Sequence, residues 1–312
     1  MIPFFSVIIP LYNKEAYILA TLESALAQNF RDFEIIIIDD GSTDQSVVRA
    51  QRITDARIHM LHQKNQGVSV ARNHGIAAAK GKYIALLDAD DLWLPNHLEG
   101  LQHLITQFPK AGLYCARYAI KYTEHYTKDI VFSAPVAEGM SIIKDYFAAS
   151  LLNPVAWTSA VAFRKAAFEK LGGFDPKLRT GQDIDLFIRF ALAHKVCFNN
   201  TLGMIYDKTT SHNLSKSLLN DQRDYLVNKY VKEEMHNDSL KKYLDQNRFA
   251  IAIRSKIVGH VAISKKQVRD INPKNLNLKQ GILLKLPRFA LQLFAKTHHF
   301  LIRNKIYIKP LR

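Results

Sequence analysis

The sequence predicts an α/β protein: a doubly wound, mainly parallel sheet flanked by helices, followed by a helix-rich, basic C-terminal extension. Three observations predict it. Strand-like and helix-like runs alternate from the first residues to about residue 90. One of the strands, Phe33 to Ile38, is apolar almost without interruption, which suits the middle of a parallel sheet covered by helices on both faces. The formal charge of +15 is confined to residues 241–312, which hold 17 Lys and Arg against two acids, Asp245 and Asp270.

In order, the elements begin with a strand from Ser6 to Pro10 and a helix-period segment from about Ala16 to Gln28. The apolar strand follows, then a helix from Asp44 to Arg52, a strand from Arg57 to His62, a helix from Val68 to Lys80 and a strand from Tyr83 to Leu87. Gly41-Ser42-Thr43-Asp44 and Lys80-Gly81-Lys82 supply turn residues at the joints, and Ser42, Thr43 or Asp44 can cap the next helix. From Leu113 to Phe163 the elements shorten and alternate less cleanly. A polar stretch between Asp207 and Ser217 divides the chain into an expected catalytic domain, 1–215, and a helical basic region, 216–312.

With 312 residues, 48% of them hydrophobic, the chain can bury one core of about 200 residues and still carry a smaller appendage. Cys115 and Cys197 form neither a disulfide framework nor a metal knuckle by spacing, and read as buried thiols of a reducing compartment. The opening run Phe4 to Ile9 has no basic segment before it, unlike a secretory signal, and no stretch reaches the roughly 18 apolar residues of a membrane span. The expectation is a cytoplasmic protein, peripheral on the cytoplasmic face of a membrane. Basic residues interleaved with Ile282-Leu283-Leu284, Phe289-Ala290-Leu291 and Phe300-Leu301-Ile302 suit an anionic headgroup layer, with an ordinary solvated helical subdomain as the plainer reading. Nucleic acid is not expected, since the region has few aromatics spaced for base stacking and no recognisable motif.

Ligands of wound sheets bind outside the carboxyl ends of the strands, and acids gather at two of those ends: Asp39-Asp40, and Asp88, Asp90 and Asp91. Alternate residues of an extended segment project to one side, so Asp88 and Asp90 can face one hard cation, Mn²⁺ or Mg²⁺, or one of them a ribose hydroxyl. The plainer alternative is that Asp88, Asp90 and above all Asp91 cap a helix beginning near Pro95.

Four blocks narrow this choice. They are Ser6-Val7-Ile8-Ile9-Pro10-Leu11-Tyr12-Asn13, Glu34 to Asp44, Asn65 to Gly75, and Gly81 to Asp91. In this order and spacing they resemble glycosyltransferase family 2, the inverting enzymes with a GT-A fold that use nucleotide sugars. The resemblance covers roughly residues 4 to 200.

The resemblance implies a nucleotide diphosphate sugar donor, UDP-sugar favoured, and a glycan or lipid-linked acceptor, in bacterial surface polysaccharide synthesis. Asp40 would accept from a base edge such as the uracil imide, with Pro10 and Tyr12 forming the base pocket. Arg72 would reach the nucleotide or its diphosphate, with an ion pair to Asp39 as the structural alternative. Asp88 would contact the ribose and metal region, and Asp90 would ligate the metal. Asp39, adjacent to Asp40 in a strand, should point the other way. Gly181-Gln182-Asp183-Ile184-Asp185 resembles the family's acidic motif, making Asp183 the base, with Asp185 in reserve and Gln182 a departure from the usual Glu. Trp157 falls on the acceptor side, where an aromatic face can stack on a pyranose or simply pack. His212 sits in a loop that could close over the diphosphate.

Two rival readings remain. A non-catalytic nucleotide-sugar-binding scaffold has Gln182 as its support. A sugar-phosphate nucleotidyltransferase needs a Gly-rich loop after its first strand, which Leu11-Tyr12-Asn13-Lys14-Glu15 is not.

Overall fold

A computed structural model describes residues 2–208 and 220–303; His212 lies outside them. The parallel half of the sheet is β1 (Phe5–Leu11), β2 (Phe33–Asp39), β3 (Ile58–His62) and β4 (Tyr83–Leu86), side by side in the order β3-β2-β1-β4. Helices α1 (Ile18–Leu26), α2 (Ser46–Ala50) and α3 (Val68–Ala78) connect them. All of β2 is buried, and it lies parallel to β1 with Val7 opposite Ile35 and Ile8 opposite Ile36, as the two-sided apolar run requires. Gly75 lets α3 lie flat on this half, because a Cβ there would collide with Ile38 and Ile8.

Helix α2 is shorter than the predicted Asp44–Arg52. Side-chain bonds shape the preceding loop instead: Asp44 Oδ1 accepts from the Ser46 N–H and Glu15 Oε2 from the Gln45 N–H.

The other half contains β5 (Leu92–Trp93), α4 (His97–Gln107), β6 (Leu113–Thr123), β7 (Tyr126–Asp129), β8 (Met140–Ile142), α5 (Tyr146–Ala149), β9 (Val161–Arg164), α6 (Lys165–Lys170), α7 (Gln182–Ala193) and β10 (Val196–Asp207). Its strands continue the sheet as β9-β6-β10-β5. Strand β9 runs antiparallel to both β4 and β6 and joins the halves, while β6 and β10 are parallel to each other. This mixed pairing is why the pattern between Leu113 and Phe163 alternates less cleanly. Cys115 and Cys197 are both buried thiols.

Beyond the sheet come α8 (Asn220–Asn228), α9 (Val231–Glu234), α10 (Asp238–Val258), α11 (Val261–Asp270), α12 (Leu278–Lys285) and α13 (Arg288–Arg303). Leu226, Val227, Tyr230, Leu240, Tyr243 and Ile251 belong to the same apolar core as the sheet. A separate small cluster, Phe249, Ile271, Leu283 and Leu291, holds the last helices together. The junction is also polar: Asp185, fully buried on α7, pairs with Lys229 at 2.7 Å and accepts from the Tyr230 hydroxyl at 2.6 Å. Among the described residues no helix is long and apolar enough to cross a membrane.

Candidate active site

A cleft of about 710 Å³ opens at the carboxyl ends of the parallel strands. Pro10, Tyr12, Arg72, Asp88, Asp90, Trp157 and Asp183 all line it, so seven of the eight predicted site residues meet in one space. Asp40 is not in the lining. Its carboxylate accepts from Gln63 Nε2 (2.8 Å) and from the backbone N–H groups of Gln66 (2.8 Å) and Gly67 (2.9 Å), and so folds the loop that leads into α3. Asp39 points elsewhere, accepting from the Ser42 N–H and facing His62 Nδ1.

The segment Asp88-Ala89-Asp90-Asp91 does not cap a helix. The next helix, α4, starts at His97 with Asn96 at its N-cap, and β5 intervenes. Arg72 is 2% exposed and binds Asp88 rather than Asp39, while Lys14 Nζ lies 2.5 Å from Asp90 Oδ2. Arg72 Nε and Nη1 are buried without hydrogen-bond partners among the described residues. Burial pushes the Asp90 carboxyl above its ordinary range, and the Lys14 ammonium opposes the shift. Asp91 is raised further, first by burial and then by the charges of Asp88 and Asp90.

Ser159 fixes this acidic turn from across the sheet. Its hydroxyl donates to Asp91 Oδ2 (2.6 Å) and accepts from the Asp88 N–H (3.0 Å), and its carbonyl accepts from Trp93 Nε1. The adjacent Thr158 hydroxyl reaches Asp183 Oδ2 at 3.4 Å. One short turn before β9 therefore touches both carboxylate groups.

Asp183 stands in the first turn of α7, after Gly181 in the left-handed conformation (φ 76°) at the N-cap. Ile184 and Phe187 also line the cleft, while Leu186, Ile188 and Phe190 are buried in the core. Burial raises the Asp183 carboxyl and Arg72 opposes the shift. Asp185 has the opposite setting: it is fully buried, outside the cleft lining, and paired with Arg189 at 2.6 Å as well as with Lys229. Gln182 is buried, with Oε1 unpartnered among the described residues.

Trp157 stacks on Tyr118 (centroids 5.1 Å apart) and tilts against Tyr206 (4.6 Å), in an aromatic ladder with one edge in the cleft. The opposite wall comes from the C-terminal helices, which sequence reasoning did not place in the site. Arg223 and Leu226 of α8, and Tyr243, Asn247, Ile251 and Arg254 of α10, line the cleft. The α10 residues fall at helical spacing on one face, a signal that was readable but indistinguishable from an ordinary core stripe.

The donor set suits a hard divalent cation. Asp88 and Asp90 offer carboxylate oxygens to one cleft, and Mg²⁺-type ions commonly take one or two carboxylates and leave other positions to water and phosphate. Among the described residues no three His, Cys, Asp or Glu side chains form a fuller protein cage. A cation here would have most of its coordination positions left for water or for oxygen atoms of a ligand.

The model of the family described as Glycosyl transferase family 2 matches residues 6–172. An uncharacterised glycosyltransferase of Rickettsia typhi is 28% identical over 241 residues, covering 75% of this chain and 74% of that protein. Staphylococcus aureus TarS 1–349, solved in complex with UDP-GlcNAc, superposes with a TM-score of 0.68 at 17% identity, covering 98% of this chain and 93% of that one. The mannosyltransferase PcManGT of Pyrobaculum calidifontis, solved with GDP-Man and Mn²⁺, gives 0.58 at 16% identity, covering 98% and 84%. These likenesses establish the GT-A fold.

Proposed function

Because the chain belongs to glycosyl transferase family 2, we propose that it moves one sugar, with inversion, from a nucleotide diphosphate sugar to a glycan or lipid-linked acceptor. The observation that carries the proposal is that Asp183 shares one cleft with Asp88 and Asp90, on separate elements of the fold. UDP-sugars are the favoured donors, and TarS was solved with UDP-GlcNAc. Bacterial surface polysaccharide synthesis at the cytoplasmic membrane face, through the basic C-terminal region, is the setting we infer.

The nucleotide lies against Pro10 and Tyr12, with Asp40 holding the loop beneath it, and Arg72 orients the diphosphate. Asp88 and Asp90 would hold Mn²⁺ or Mg²⁺, which when bound supplies positive charge against the leaving diphosphate. Trp157 borders the acceptor ring with the apolar edge that it turns to the cleft. Asp183 takes the proton of the acceptor hydroxyl as its oxygen attacks the anomeric carbon, and the bond to the diphosphate breaks with its electron pair leaving on the phosphate oxygen. One displacement of this kind inverts the anomeric centre.

The Thr158 hydroxyl keeps the Asp183 carboxylate oriented. Its raised affinity for a proton makes it a stronger base than an exposed aspartate. The test is release of nucleoside diphosphate from a panel of nucleotide sugars with Mn²⁺ and glycan or lipid-linked acceptors. Metal-dependent nucleotide binding with no turnover on any acceptor would favour the scaffold reading instead.

A further inference from the structure

Helices α12 and α13 each have two apolar faces, and among the described residues one face of each packs inside the molecule while the other is exposed. Leu283 and Leu291 turn inward to the small cluster with Phe249 and Ile271. Leu278 (82% exposed) and Ile282 (52%) on α12, and Phe289 (73%) and Leu293 (66%) on α13, turn outward at i, i+4 spacing. Exposed Lys279, Lys285, Arg288 and Lys296 lie on the same two helices. No Asp or Glu follows Asp270, while residues 271–312 contain nine Lys and Arg. Large apolar side chains held in water beside cations alone describe a surface whose partner is apolar within and negative at its boundary.

We propose that the outward face of α12 and α13 is a docking surface for an anionic lipid bilayer. Leu278, Ile282, Phe289 and Leu293 enter the headgroup and acyl boundary, and the flanking lysines meet lipid phosphates. The inference rests on the membrane-surface reading above and gives it a defined face. Charge decides against a second copy of the chain, which would bring the same cations against each other without an acid to offset them. Nucleic acid would satisfy the lysines and leave the four apolar side chains in water.

The test is flotation of the full chain with phosphatidylcholine vesicles, with and without phosphatidylglycerol. The wild type should float with the anionic vesicles and sediment with the neutral ones, and added salt should release it. The double variant Phe289→Ser, Leu293→Ser should lose most of the floated fraction while keeping its melting temperature, since both residues face outward. The pair Lys279→Glu, Lys285→Glu should lose it as well.

A wild type that stays unbound, or a Phe289→Ser, Leu293→Ser protein that floats equally well, overturns the proposal. So does a lipid-free dimer that these substitutions dissociate, or binding to RNA without binding to vesicles. Nucleotide binding measured on the same proteins separates the two readings: lost flotation with intact binding concerns this face only.

Discussion

Lys14 Nζ and Asp90 Oδ2 lie 2.5 Å apart, joining the loop after the first strand to an acidic turn 76 residues later. The lysine balances a mostly buried carboxylate at the point where a divalent cation is proposed to sit. Lysine and cation thus compete for one group, and this gives a first prediction. Lys14→Met should cost about 1–3 kcal/mol in metal-free buffer, because it leaves a buried acceptor unpaired. Mn²⁺ should then raise the melting temperature of the variant more than that of the wild type. Equal shifts in thermal melts would show that Asp90 does not bind the ion.

A second prediction concerns the base. Asp183→Asn keeps the size and removes the proton acceptor, so kcat should fall by about 10²–10⁴ while the Kd for nucleoside diphosphate stays the same. Single-turnover transfer together with calorimetry separates the two quantities. Transfer at the wild-type rate would remove Asp183 from the mechanism.

The third follows from its titration. Burial raises the Asp183 carboxyl above the ordinary 3.8, and Arg72 limits the rise. A base acts only when deprotonated, so log kcat should climb as pH rises through the raised value and then level off. Arg72→Met removes the opposing charge and should move that limb to higher pH. Stability carries the opposite sign: a group with a folded pKa above 3.8 contributes stability that is complete below 3.8 and is lost as pH rises through the folded value. A pH profile that Arg72→Met leaves in place would refute the coupling.

The fourth separates Asp185 from its neighbour. It is fully buried and holds Arg189, Lys229 and Tyr230, so Asp185→Ala leaves Arg189 with only the carbonyls of Leu171 and Gly173 and Lys229 with only Asp175, and should destabilise the protein by about 3–5 kcal/mol. Denaturant unfolding measures this. The protein that remains folded should keep the wild-type shape of the pH profile, which a base substitution would not.

The placement of the strand-end acids was legible because its signals are local. The apolar run Ile35 to Ile38 states a doubly covered strand, and Asp88-Ala89-Asp90 states two acids on one side. Asp183 is legible through the motif around it. What pairs with these acids was not legible. Lys14 with Asp90, Arg72 with Asp88 and Ser159 with Asp91 join residues 76, 16 and 68 positions apart, and nothing near any of them announces its partner. Arg223 and Arg254 were hidden for a related reason: a helix that walls a cleft has the same periodicity as one that covers a core. Lys229 and Tyr230 read as an ordinary stretch of a basic tail until Asp185 is placed beneath them.

In the proposed reaction, carboxylates at the edge of the parallel strands share a cation with a departing diphosphate. Calorimetric titration of UDP into the wild type and into Asp90→Asn, with Mn²⁺ and again with a chelator, tests this most directly. The prediction is that Mn²⁺ tightens UDP binding by about tenfold or more in the wild type, a difference of about 1.4 kcal/mol, and has no effect in Asp90→Asn. Equal affinity in chelator, or an undiminished Mn²⁺ effect in the variant, would contradict it.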